Sequence, residues 1–323
     1  MSLRRRDILA LAAAPAVAAS AFAQAEWSPT RPVRIIVPIV GSTNDVVARL
    51  VAPKLSEAIG QPVIVENKPG AGGNIGTDLV AKSAPDGHTL MVGYNGPLAI
   101  NVTLFDKMPY DPLKDLQPLT LAVKAPQYLV VTPASGIHSL KEFVDQARAN
   151  PGKLSYASIA VGSASHLTME MLKAAAGIQV THVPYKGPGP AITDLLGGQV
   201  QAAFFVPGNV QQFAQQGKLK LIASSGARRI PSTPDVPAIA ETYKDFEGTS
   251  WIGFLTTGGT PRPIVDRYNR ELVKIIRSPE IAQKLHEMEF EVVASSPEEF
   301  GAWIRSEIPR WGKVIKATGA KAE

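Results

Sequence analysis

The 323-residue sequence contains no cysteine. That excludes disulfides, cysteine nucleophiles and a lipid-bearing cysteine behind an export signal. It also lacks a strong charge of either sign: 33 basic and 28 acidic residues leave a formal +5. Setting aside Arg4, Arg5, Arg6 and Asp7, which lie in a segment expected to be removed, 30 basic residues face 27 acidic ones, or +3. No run of the remaining chain is conspicuously basic, so nucleic acid is not an expected partner. The longest apolar run, Ile8 to Ala19, is too short and too rich in alanine to span a bilayer. Several motifs are missing as well. There is no G-x-S-x-G and no G-x-x-x-x-G-K-[ST], and Gly70 and Gly72 would need a glycine where Ile75 stands to complete a dinucleotide fingerprint. The five histidines show no metal-ligand spacing. No metal and no cofactor is expected, and internal repeats and low-complexity segments are absent.

What is present is a globular composition, 45% hydrophobic and 19% charged, in a chain long enough for two cores of ordinary domain size. Residues 1–25 read as a targeting segment: three arginines, the apolar run, then Ala21-Phe22-Ala23 or Ala23-Gln24-Ala25 as a small-x-small cleavage pattern. Arg5-Arg6-Asp7-Ile8-Leu9 resembles a twin-arginine signal, so both general and twin-arginine export stay open. The mature protein is expected in the periplasm.

The mature chain alternates strands with helices. Val33 to Val37 is a continuous apolar run suited to burial on both faces of a sheet, and the loop Ile39 to Asn44 leads into a helix over Asp45 to Ile59. Strands follow at Pro62 to Glu66 and His88 to Gly93, with a helix over Ile75 to Ser83 between them. From Asp106 to Pro126 four prolines break any long helix, and a first crossing between domains is placed near Leu121 to Pro126. Beyond it lie strands at 128–132, 154–159, 180–183, 200–206 and 219–224, separated by helices. A return crossing is placed at Gly226 to Pro237. Trp251 to Thr256 is a strand, and the last three helices each begin at a proline, where a missing N–H costs nothing. The fold class is therefore α/β with two domains: residues 26–122 plus 238–323, and residues 123–237.

The chain is organised around Ser158 to Leu196. A strand enters the small-residue loop Ala160 to Ser165, which opens a helix with Leu167, Met171 and Leu172 at helical spacing. Such a junction points backbone N–H groups and the positive end of a helix dipole at one spot, which suits an anion. An alternative reading is an exported hydrolase using Ser163 or Ser165 with His166. Neighbouring side chains at a helix start do not face one another, which argues against it.

Collinear stretches, RPVRIIVP, GQPVIVENKPGAGGNIGTDLVAKSAPDGHTL, GSASHL, HVPYKGPGPAITDLLGGQVQAAF, PDVPAIAE and WIGFLTTGGTPRPIV, resemble the Bug-type solute receptors of tripartite tricarboxylate transporters. The resemblance implies a type II periplasmic-binding-protein-like fold whose two α/β domains clasp a small organic carboxylate. It implies no catalysis and no cofactor. Delivery would be to integral-membrane transporter subunits, with the receptor a monomer; a sensor feeding a membrane signalling partner would look the same. Carried over, the anion-holding loops fall on Ile39, Val40, Gly41, Ser42, Thr43 and Asn44, and on Val161, Gly162, Ser163, Ala164 and Ser165, with Ser158 a further candidate at the end of the preceding strand. Tyr94 and Asn95, His166, and Phe205, Val206 and Pro207 complete the site. Where the family reads close to P-F-x-x-G-G-x-x-D, this chain reads Pro38-Ile39-Val40-Gly41-Ser42-Thr43-Asn44-Asp45, one residue shorter and with one glycine. The first loop is thus expected to act more through the side chains of Ser42, Thr43 and Asn44, or through bridging water, than through closely approaching backbone amides.

Overall fold

A computed structural model describes residues 27–322; the targeting segment read at 1–25 lies outside them. Strand β1 (Val33–Val37) is buried except at Arg34 and leads into helix α1 (Thr43–Ile59). β2 (Val63–Asn67), α2 (Asn74–Ala81) and β3 (Thr89–Tyr94) follow, and β1 lies parallel between β2 and β3. After β3 a widened turn, Gly96–Ile100, runs into the short α3 (Asn101–Leu104) and then into β4 (Leu116–Ala125).

Only Pro126 and Gln127 separate β4 from β5 (Tyr128–Val131), the first strand of a second sheet. Next come α4 (Leu140–Ala149), β6 (Ser155–Ser158), α5 (Ala164–Ala176), β7 (Thr181–Pro184), α6 (Pro188–Leu196), β8 (Ala202–Phe205), α7 (Pro207–Gln215) and β9 (Lys220–Ser224). The chain then returns through β10 (Ser250–Thr257), α8 (Arg262–Ile276), α9 (Pro279–Glu287), β11 (Glu291–Val292) and α10 (Pro297–Thr318).

The first sheet has the order β11-β4-β10-β3-β1-β2 and the second β7-β6-β8-β5-β9. Both are mixed rather than purely parallel. β10 runs antiparallel to β3 and β4, and β5 runs antiparallel to β8 and β9. The reversed strands β5 and β10 each come directly after a crossing, and β11 is reversed as well, antiparallel to β4. Each sheet is covered by helices on both faces, giving two apolar cores apiece. We call each sheet with its helices a lobe.

The ten-residue β4 occupies part of the segment that its prolines mark as broken. Pro118 is tolerated because it pairs with Leu255 beside an irregularity in the β4–β10 register, while β11 reaches only Val123 and Lys124 on the other side. Ile239 and Phe246 pack in the second lobe's core, so the return to the first sheet is completed only at Ser250. On one face of the first sheet, α10 buries Glu307, which accepts hydrogen bonds from both Trp251 Nε1 and Trp311 Nε1 at 2.8 Å and from Arg310 at 2.9 Å. Among the described residues, no helix is long and apolar enough to cross a membrane.

Candidate functional site

Two helix starts face each other across the lobes. In α1, the amides of Asp45 and Val46 turn back to the Ser42 carbonyl at 3.0 and 3.1 Å. In α5, the amide of Leu167 bonds the Ser163 carbonyl at 3.1 Å, and the amide of His166 bonds the Ser163 hydroxyl at 3.3 Å. Helix geometry leaves the first amides of each, those of Thr43 and Asn44 and of Ala164 and Ser165, without a partner inside the helix. These four residues line one small inner pocket together with Ser163, Ile39, Tyr94, Ile159, Phe204, Phe205 and Val206. Gln127, Asn209 and Ser250 add polar groups to the same wall. The free space is about 30 Å³.

Ile39, Tyr94 and Ile159 also border a larger outer chamber of about 660 Å³. Its walls are Pro38, Val40, the Pro69–Gly73 turn, Phe105, Ala160, Val161, Pro184, Tyr185 and Lys186. The Tyr94 hydroxyl donates to the Gly72 carbonyl at 3.1 Å, and burial holds its pKa well above the ordinary phenol value.

The loop before α5 is supported from behind. Ser163 Oγ donates to the Ala160 carbonyl at 2.6 Å and lies 2.9 Å from Ser165 Oγ, which accepts the Ile159 amide at 3.1 Å. His166 points away from the pocket: its Nδ1 accepts the Gly162 amide at 3.3 Å, and its ring stacks on His182 with centroids 4.1 Å apart. His182 in turn stacks on Tyr156, and its Nε2 lies 2.7 Å from Ser158 Oγ. Burial lowers the pKa of His166 to about 4 and that of His182 to about 3. Both rings are therefore neutral at neutral pH, as the Gly162 bond requires of His166 Nδ1.

The structure thus brings Ile39, Val40, Thr43, Asn44, Tyr94, Val161, Ser163, Ala164, Ser165, Phe205 and Val206 to the two connected cavities. It places the other candidates behind or beside the walls. Ser42 donates its hydroxyl to the Ile39 carbonyl at 3.3 Å, so of the three side chains expected to serve the first loop, only those of Thr43 and Asn44 stand at the pocket. Asn95 accepts the Trp251 amide and donates to the Thr249 carbonyl, both at 3.1 Å, and so fixes the start of β10. Ser158 and His166 belong to the stacked support, while Gly41 and Pro207 flank the walls without lining them. Gly162 has φ +73°, and a Cβ there would sit 2.2 Å from Asn101 Oδ1 of the opposite lobe. Neither Ser163 nor Ser165 is hydrogen-bonded to the His166 ring; their hydroxyls serve the loop.

Gln127, Asn209 and Ser250 were not anticipated. Asn209 lies just past the carboxyl end of β8, where ligand sites of α/β sheets gather, and that rule marks it. Ser250 is at the amino end of β10, which reaches the same edge only because β10 is antiparallel. No group of three or more acidic or histidine side chains among the described residues is arranged to hold a metal ion.

Two α/β lobes joined by crossing strands, with a polar pocket between opposed helix starts, define a periplasmic-binding-protein fold of the solute-receptor class. A model of the tripartite tricarboxylate transporter family receptor matches residues 47–320. BugT of Bordetella pertussis is 36% identical over 300 residues, covering 92% of each chain. An R. palustris protein solved with adipate superposes with a TM-score of 0.87 at 34% identity, covering 90% of this chain and 98% of that one. MatC from Rhodopseudomonas palustris, solved with bound malate, gives 0.83 at 32% identity, covering 89% and 99%. The chain belongs to the tripartite tricarboxylate transporter receptor family.

Proposed function

We propose that this receptor binds the carboxylate end of a small organic acid between its lobes in the periplasm and presents it to the integral-membrane subunits of a tripartite transporter. The observation that carries the reading is the inner pocket. Two helix starts converge on it, its side-chain polar groups are uncharged, and no cation lines it. A carboxylate is the small solute whose charge suits unpaired amides and helix dipoles without a buried lysine. One helix terminus supplies about 0.3–2 kcal/mol, whereas micromolar affinity needs about 8 kcal/mol. Charge-assisted bonds of about 1.5–3 kcal/mol each fill the gap only when several form together in a water-poor site, which closing the lobes provides. The closing bodies are the two sheets with their helices, hinged at Pro126–Gln127 and near Ser250. Relatives with bound adipate and malate support the same choice of ligand class.

On this reading the export segment is cleaved near Ala23 or Ala25, the mature receptor is a monomer, and the serines and His166 shape a binding loop without catalysis. A thermal-shift screen of carboxylates against neutral and cationic solutes tests the function. A ligand at 100 times its Kd raises stability by about 2.7 kcal/mol. If no carboxylate shifts the melting temperature while an uncharged or cationic solute does, the proposal fails.

A further inference from the structure

The two connected cavities differ in chemistry, and the difference constrains the part of the ligand that lies beyond its carboxylate. The inner pocket is small, holds both helix starts and draws about half of its lining residues from polar side chains; the outer chamber is much larger, and its wall has polar side chains only at Tyr94, Tyr185 and Lys186 beside apolar ones such as Ile39, Val40, Phe105, Ile159 and Val161. The polar side chains on the chamber wall are few and mostly committed. The Tyr94 hydroxyl is bonded to Gly72, and the Tyr185 hydroxyl donates to Asp194 at 2.6 Å. Lys186 is the one charged wall residue, and it is solvent-exposed at the rim. An ion pair at so exposed a position is worth little, whereas a charge moved among apolar side chains gives up its hydration. Val40, 44% exposed, presents an uncovered apolar surface on the same wall.

Resting on the carboxylate reading above, we infer that this receptor selects monocarboxylates with an apolar alkyl or aryl body, the acid group seated in the inner pocket and the body in the outer chamber, and that it discriminates against a second, distal carboxylate. Preference thus comes from desolvation: an apolar body gains by leaving water, and a distal charge loses.

Titration calorimetry on the mature protein with hexanoate, 3-phenylpropanoate, adipate and 1-hexanol tests this. Adipate is hexanoate with one distal carboxylate added, and 1-hexanol is its tail without the acid. The expected order is 3-phenylpropanoate tightest, hexanoate next, adipate at least about tenfold weaker than hexanoate, and no binding of 1-hexanol. Adipate binding as tightly as hexanoate overturns the inference and leaves the carboxylate reading standing. Binding of 1-hexanol as tight as hexanoate, or failure of all three acids, overturns the carboxylate reading and this inference with it.

Discussion

Gly162 is where the binding loop of one lobe touches the other, so a single methyl group there separates closure from folding. Its φ of +73° costs an alanine about 1–2 kcal/mol of backbone strain, and that strain is present whether the lobes are together or apart. The steric term is different. The new Cβ would stand 2.2 Å from Asn101 Oδ1, against about 3.3 Å for a comfortable C···O approach. Asn101 cannot swing aside easily, since it is fully buried and its Nδ2 is held by the Gly72 carbonyl at 3.1 Å and by Asn74 Oδ1 at 2.7 Å. Overpacking of this size costs about 1–3 kcal/mol, and only in the closed state. Gly162→Ala should therefore weaken the best carboxylate from the screen by about 5- to 150-fold, while lowering the stability of the unliganded protein by only the strain term. Calorimetry and urea unfolding on wild type, Gly162→Ala, Asn101→Ala and the double variant form the test. With Asn101 shortened, the alanine at 162 should cost less than about twofold in affinity. If Gly162→Ala weakens binding by the same factor in both backgrounds, the contact between the lobes does not govern closure.

The stacked imidazoles predict a pH dependence. Both folded pKa values lie below the ordinary histidine value of 6.5, so the unfolded chain binds more protons below about pH 6.5, and stability is complete above that pH and lost on acidification. Between about pH 6 and pH 4 each ring should contribute a slope of about 1.4 kcal/mol per pH unit. Urea melts of wild type and His182→Gln across that range check it, and equal slopes would refute the role of the pair. Glu307 gives a separate test in the first lobe: its Oε2 accepts both indoles and its Oε1 accepts Arg310, so a glutamine can keep the indole bonds but turns an amide NH2 toward Arg310 and removes the charge. Glu307→Gln should lose about 1–3 kcal/mol of stability in urea melts and leave ligand affinity unchanged; a variant as stable as wild type would show that the bond to Arg310 and the buried charge contribute nothing.

Much of the fold was legible because its signals are local. β1 is an uninterrupted apolar run, α5 announces itself by Ser163 and by Leu167, Met171 and Leu172, and α8, α9 and α10 open at prolines. β4 was obscured because proline is a strong breaker on average, and only the partner strands decide whether a given proline is harmless. Pro118 is harmless since β11 stops short of it and the β10 register is irregular beside it. Strand direction was illegible for a related reason. Side chains alternate across a strand identically in parallel and antiparallel sheets, so nothing in Trp251 to Thr256 tells which way β10 runs.

The site divides along the same line. The proposed anchor is made of two helix starts, and helix starts are written in consecutive residues, Ser42 to Asn44 and Ser163 to Ser165. The chamber is made of Ile39, Val40, Phe105, Ile159, Val161 and Pro184, which come from four separate segments and read in sequence like any buried apolar residues. The supports behave likewise: His166 meets His182 only because β6 and β7 align Tyr156 with His182, a juxtaposition that no spacing along the chain reveals. In the proposed site, selection among acids would depend on the dispersed part, since an anchor of backbone amides reads a carboxylate whatever is attached to it. Receptors that share the anchor sequences can therefore differ in ligand. Exchanging chamber residues such as Val40 or Phe105 should redirect preference, whereas exchanging anchor residues should weaken every acid together.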